Sequence, residues 1–315
     1  MKLRKAFGVA VGAVGTTALA NRLLQSRAGE FEPFLSGTQR TYRWRGFDIA
    51  YTEAGDPADP DLVLFHGINA AAGNHEFHTV FERLAEEYHV VAPDLPGFGH
   101  SDRPPLLYSA SLMTTFVRDF IDDESEDATV VASSLTGAYA ALAADETDLS
   151  ELVLVCPTDT SMGDRSVARR SLLRAPLVGT AIYNLVVSKP SIRHFHADHG
   201  YYDMDKLTDD VVDYEWTSGH QPGARFAPAS FVSGFLDPVD DLGDALATLD
   251  VPVTLVWGED ADITPLSSGR DLAERADATL VVFGDSLLLP HVEHPAQFVD
   301  VVNGDLATVT VETEQ

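Results

Sequence analysis

Residues 130 to 144, VVASSLTGAYAALAA, constrain this chain more than any other stretch. A β-branched run from Thr129 to Val131 meets two serines and then small residues from Gly137 to Ala144. The pattern predicts a strand, a sharp turn and a helix. The residue at the apex of such a turn takes a strained backbone conformation and lifts its side chain above the sheet, which requires small residues two positions to either side. Ser134 as apex sets Ala132 and Thr136 at those positions, whereas Ser133 sets Val131 and Leu135 there. Ser134 is the better apex. The N–H of Leu135 then opens the helix and faces any negative charge developing beside the Ser134 hydroxyl.

Around this stretch the pattern is that of an α/β protein. TYRWRG and FDIAYTEAG read as an antiparallel pair, and DLVLF, YHVVAP and the serine strand alternate with helices near residues 76–87 and 111–122. That rhythm from residue 61 to 156 predicts a parallel sheet covered on both faces. It breaks between Pro157 and Asp250, where helix-like segments replace buried strands, and resumes with VPVTLVWG, a helix over 267–276, ATLVVFG and a last helix near Pro295. The expected organisation is a leader over 1–24, a linker over 25–38, a core over 39–156 and 251–305, an inserted helical cap over 157–250, and an acidic tail over 306–315.

In the leader, basic residues at 2, 4 and 5 precede an uncharged stretch from Ala6 to Asn21, short of the ~20 apolar residues a bilayer requires. Three readings fit: a membrane-associated helix, an interfacial helix, or a signal peptide cut after Ala18-Leu19-Ala20. The chain is accordingly cytoplasmic, membrane-associated through residues 1–24, or secreted. A net charge of −28 from 49 acidic and 21 basic residues, of which only Lys2, Lys5, Lys189 and Lys206 are lysines, describes a surface suited to high salt, where self-repulsion is screened. Nucleic acid is excluded as a partner, since the only basic cluster is Arg169, Arg170 and Arg174. The single cysteine, Cys156, sits in the apolar run ELVLVC and reads as core.

His66-Gly67-Ile68, Asp94-Leu95-Pro96-Gly97-Phe98-Gly99, the serine turn, Trp257-Gly258, and Glu293-His294-Pro295, in that order, resemble the α/β-hydrolase superfamily over roughly residues 39–305, with ASSLTG where that family usually has GHSxGG. The resemblance implies an eight-stranded, mostly parallel sheet with a cap after the sixth strand. It also implies Ser134 as nucleophile, an oxyanion hole made by the N–H groups of Ile68 and Leu135, and no cofactor. A serine nucleophile needs a base, and the base needs a carboxylate to fix its tautomer. Here the sequence departs from the family. Seven residues before Pro295, where the family histidine lies, stands Leu288; the nearest imidazole is His291, with His100 of the Pro/Gly loop as another. The family's carboxylate position falls on Ala261, flanked by Asp260 and Asp262, of which Asp262 is preferred; Asp159 occupies a position some relatives use instead.

His194-Phe195-His196-Ala197-Asp198-His199 matches the HxHxDH string of metallo-β-lactamase-like hydrolases, but it follows Lys189-Pro190 inside the expected cap rather than a strand, and no metal is assigned. The leading reading is a hydrolase acting on an ester-like bond of a small apolar molecule under the cap. The alternatives are a non-hydrolytic binding or scaffold protein that has lost the triad histidine, and a lyase. Phe195, Tyr201, Tyr202, Trp216, Phe226 and Phe231 are aromatic candidates for the pocket wall. The sequence does not identify the substrate-binding residues or the oligomeric state.

Overall fold

A parallel strand covered on both faces must be apolar along its whole length, and the central strands of this chain are. The computed structural model describes residues 2–161, 163–307 and 309–312, with the backbone alone for 2–14 and 312. Among the described residues nine strands form one sheet: β1 (Thr38–Trp44), β2 (Phe47–Ala54), β3 (Asp61–Phe65), β4 (His89–Pro93), β5 (Ala128–Ser133), β6 (Leu149–Val155), β7 (Val253–Gly258), β8 (Thr279–Phe283) and β9 (Thr310–Glu312). Their order is β1-β2-β4-β3-β5-β6-β7-β8-β9. The run from β4 to β8 is parallel, and β1, β2 and β9 are antiparallel additions at the edges.

Period-two alternation divides the core between the faces of the sheet. Val63, Phe65, Val130, Ala132, Leu154 and Trp257 pack under the helices Ala110–Glu124, Leu135–Ala144 and Leu266–Ala276. Leu62, Leu64, Val131, Val155, Val256 and Phe283 pack on the other face, against Phe81, Leu84 and the helix Pro295–Val302. The connection leaves β3 toward one edge, through β4, and returns to β5 on β3's other side. Ligands of open α/β sheets bind at such a switch point, beyond the carboxyl ends of the strands. Here it lies between Gly67 and Ser134.

Several expectations change. The sheet has nine strands rather than eight, because part of the expected acidic tail pairs with β8, Val281 opposite Val311. Residues 308 and 313–315 of that tail lie outside the described residues. The single helix expected over 76–87 is two short turns, Asn74–Phe77 and Phe81–Leu84. The expected cap segment 157–250 holds helices and no strand among the described residues, but its last helix, Leu242–Leu246, buries Leu242 and Leu246 in the main core and belongs there by packing.

At the N-terminus a helix runs from Lys2 to Ala28, so the expected linker begins four residues later than residue 25. No helix among the described residues is long and apolar enough to cross a membrane. The end of this helix docks on the helical segment after β6: Asn21 Nδ2 donates to Leu177 O at 3.1 Å, and Asn184 Nδ2 donates to Asn21 Oδ1 at 3.0 Å. The side chains of Lys2, Arg4 and Lys5 lie outside the described residues.

Candidate active site

Ser134 has φ 53° and ψ −129°, a left-handed conformation that costs a non-glycine residue ~1–3 kcal/mol and persists only where its surroundings enforce it. They do so here through a closed set of backbone hydrogen bonds. Ser134 N–H donates to Val155 O at 2.8 Å, and its carbonyl accepts from Gly137 at 3.0 Å and Thr158 at 3.3 Å. Thr136 Oγ1 donates to His66 O at 2.7 Å, tying the serine turn to the loop after β3. A side chain at Gly137 would meet Pro157 Cβ at 3.0 Å, so the helix approaches as closely as it does only with glycine there. Ser133 is the last residue of β5, and Ser134 alone is the apex.

The loop after β3 closes over this turn. His66 is fully buried; its Nε2 accepts the Leu95 N–H at 3.0 Å and its Nδ1 is 2.6 Å from Gly67 O, while burial holds its pKa below the usual value. It braces the loop after β3 against the loop after β4. Asp94 fixes the next loop, accepting from Asn74 N at 2.8 Å and His100 N at 2.7 Å. Among the described residues no acceptor takes the N–H of Ile68 or of Leu135. Both residues border a cavity of about 110 Å³ above Ser134, with Phe195, Phe231, Ile263, Leu288 and Leu289 as its main apolar wall. Of the other aromatic candidates, Tyr201 lines a neighbouring cavity, and Tyr202, Trp216 and Phe226 line neither.

A carboxylate that sequence reasoning did not single out stands beside the serine. Glu76 Oε2 accepts the Gly67 N–H at 2.9 Å, and the Glu76 carboxylate, Ser133 Oγ and Ser134 Cβ crowd the same face of Gly67, each 3.2–3.3 Å from where a β-carbon would stand. Burial would raise the pKa of Glu76, but His291 and the Ser133 hydroxyl outweigh it and hold the carboxyl below its usual range.

The residues expected to complete a triad are in place elsewhere. His291 is fully buried against Phe77 and Phe298, with Nε2 3.4 Å from Glu76 Oε1. It faces that carboxylate and is absent from the wall of the cavity above Ser134. Asp262 is half exposed and pairs with His199 Nδ1 at 3.0 Å, so Asp262 and His291 do not form one dyad. Asp159 accepts the Leu242 N–H at 3.2 Å and serves as a helix anchor. His100 stacks on Phe31 at 3.9 Å, away from the cavity. Leu288 lines the cavity, and Ala261 is buried. Cys156 is buried in the core, and burial pushes its thiol up to about 12.

The HxHxDH string is dispersed. His194 pairs with Asp198 at the surface, His199 with Asp262, and only His196 points inward. Among the described residues no three His, Cys, Asp or Glu side chains converge as a metal site. His196 Nε2 lies 2.9 and 3.0 Å from the two oxygens of Glu215, which is also 3.4 Å from His75 Nε2. Burial opposes the charge on Glu215, yet the two imidazoles hold its carboxyl below the usual range. The signal for this group was a lone glutamate on the apolar stripe of the helix Asp209–Gly219, among buried Val211, Val212 and Ser218.

Comparison with known proteins matches residues 62–301 to the model of the Alpha/beta hydrolase family. An uncharacterised protein of Mycobacterium tuberculosis is 27% identical over 283 residues, covering 82% of this chain and 77% of its own. The pimeloyl-[acyl-carrier protein] methyl ester esterase of Aeromonas salmonicida is 28% identical over 249 residues, 77% of this chain and 94% of its own. Among solved structures, a serine hydrolase involved in carbazole degradation superposes with a TM-score of 0.68 at 19% identity, covering 86% of this chain and 99% of that one.

Proposed function

The chain belongs to the Alpha/beta hydrolase family, and from that premise we propose that it is a serine hydrolase cleaving an ester-like bond of a small, largely apolar molecule. The observation that carries this reading is the strained backbone of Ser134 beneath a cavity walled by Ile68, Leu135, Phe195, Phe231, Ile263, Leu288 and Leu289. Strain of this kind is retained where it serves a site. Ser134 Oγ attacks the acyl carbon, forming the Oγ–C bond as the carbonyl π electrons move to oxygen. The N–H groups of Ile68 and Leu135 receive that oxyanion, a contribution worth roughly 3 kcal/mol per donor in well-studied enzymes. The leaving alkoxide departs with a proton, and water then hydrolyses the acyl-serine. The methyl ester esterase among the relatives supports an ester-like bond; the apolar wall supports a hydrocarbon acyl or alkoxy group.

A second reading, a binding protein without hydrolytic activity, is favoured by one observation: Leu288 and Ala261 occupy the family's base and acid positions. Labelling with a fluorophosphonate, which reacts with activated serines, separates the two. The hydrolase reading predicts a covalent adduct on the peptide carrying Ser134, absent in Ser134→Ala and retained in Ser133→Ala. A folded protein that takes no label supports the binding reading.

A further inference from the structure

The serine hydrolase reading needs a base for the Ser134 proton, and the family's own position offers the hydrocarbon of Leu288. Four histidines stand near enough to weigh. His291 faces Glu76 from behind the site, His100 stacks on Phe31, and His199 holds a half-exposed Asp262 without bordering the cavity. His196 borders it, together with Ser134.

Three further features of His196 bear on its chemistry. Both Glu215 oxygens lie within 3.0 Å of its Nε2, so the neutral ring carries its proton on Nε2 and leaves the Nδ1 lone pair free. That Nδ1 is buried and has no hydrogen-bond partner. An unpaired buried acceptor is costly and calls for an explanation. It lies on the side of the ring against Gly200, where a β-carbon would come within 2.6 Å, and Gly200 itself lines the cavity above Ser134. His196 also opens a π-helical turn, His196–Gly200, a rare local geometry that recurs at functional sites.

We infer that the base is delivered by the cap: His196, oriented by Glu215, accepts the Ser134 hydroxyl proton on Nδ1 through the cavity the two residues share. This rests on Ser134 being the nucleophile. No hydrogen bond reaches Nδ1 in the free protein; with substrate bound the transfer runs directly or through one water, since catalytic hydrogen bonds often form only in the complex. As Oγ bonds to the acyl carbon, its proton passes to Nδ1, giving an imidazolium whose Nε2–H remains on the Glu215 carboxylate. Collapse of the tetrahedral intermediate breaks the bond to the leaving oxygen, which takes the proton from Nδ1. A water then repeats the sequence against the acyl-serine, its proton going to Nδ1 and on to Ser134 Oγ. Glu215 is a positioning residue. Its second contact, His75 Nε2 3.4 Å from Oε1, buttresses it further. The arrangement is a triad with its histidine moved from the loop after β8 to the cap, and with Nδ1 and Nε2 exchanging roles.

The test measures the second-order rate of fluorophosphonate labelling and the turnover of p-nitrophenyl butyrate by the full chain in high salt. His196→Gln keeps an N–H donor for Glu215 and removes the base, and should slow labelling and kcat by at least ~100-fold while KM changes little, the loss expected of a missing general base. His196→Ala opens space for free imidazole, whose addition should restore labelling in that variant and not in Ser134→Ala. His199→Gln should label at close to the wild-type rate. Circular dichroism of each variant separates loss of fold from loss of base, and should His196→Ala unfold, His196→Gln carries the test alone. A His196→Gln protein that labels and turns over like wild type overturns the inference and leaves Ser134 as nucleophile. A His199→Gln protein that fails instead assigns the base to the Asp262 pair. Wild-type protein that takes no label removes the nucleophile reading and this one with it.

Discussion

The two halves of the candidate site are built differently. On one side, β5, the Ser134 turn and the loop after β3 are locked by backbone groups: Ser134 N–H on Val155 O, Thr136 on His66 O, Leu95 N–H on His66 Nε2. On the other side, the loop after β7 carries the buried Ala261 and the loop after β8 carries Leu288, which lines the cavity, and neither side chain can do acid–base work. Such a site is replaceable on one side only. An apex serine depends on many main-chain contacts and has no substitute elsewhere in the fold. A base depends on one imidazole at hydrogen-bond reach, and any element that covers the cavity can supply it. In this molecule the covering element brings a buried imidazole and carboxylate of its own.

Mutations that probe the two sides should therefore differ in kind. The largest effect belongs to the backbone-locked side: Ser134→Ala should lower esterase turnover by at least ~1000-fold, as removal of a nucleophile does, with the melting temperature no lower than wild type. Ser134→Gly should go further in stability, gaining about 1 kcal/mol in chemical denaturation, because glycine adopts φ 53° without strain. A loss of stability in Ser134→Gly would show that the turn is not strained and would break the contrast between the two sides.

Next comes Gly67→Ala. Its new methyl would stand 3.2–3.3 Å from Ser133 Oγ, Glu76 Oε2 and Ser134 Cβ, which pushes Ser134 away from the loop that carries Ile68. Steady-state kinetics should show kcat falling by ~10–100-fold, the cost of displacing groups by a fraction of an ångström.

The cap side is sharpened by acid. The Glu215 carboxyl, held low by His196 and His75 against the cost of burial, has a folded pKa depressed to about 2 from 4.5. Its contribution to stability is present above the unfolded value and is lost as pH falls through the folded one. Urea midpoints should decline between pH 5 and about 2, and Glu215→Gln should flatten that decline while lowering the neutral-pH midpoint. The smallest effect is expected for Asp262→Asn. The pair with His199 is half exposed, and such pairs contribute ~0–1 kcal/mol, so the melting temperature and the labelling rate should both stay near wild type.

The same contrast governs what the sequence made legible. The strand-turn-helix at Ser134 is a local pattern of residue sizes, and the parallel sheet follows from contiguous apolar runs, so both were readable from order along the chain. β9 reads as tail because Thr310–Glu312 is three residues long in an acidic segment, and only its pairing with Leu280, Val281 and Val282 of β8 identifies it. His196 was visible, but as a member of a metal-like string whose other members turn out to face the surface. Its carboxylate, Glu215, lies 19 residues away on a separate helix, and nothing local pairs them. Glu76 was hidden for the same reason: its partners, Gly67, Ser133 and His291, come from three separate parts of the chain.

If Ser134 is a nucleophile working in this cavity, it forms an acyl-enzyme that can be trapped. Rapid acid quench of the protein with excess p-nitrophenyl butyrate, followed by peptide mass spectrometry, should find a butyryl group on the peptide spanning the serine turn, mapped to Ser134 and absent in Ser134→Ala. Turnover without any acyl adduct, or with the adduct on another residue, would contradict the account.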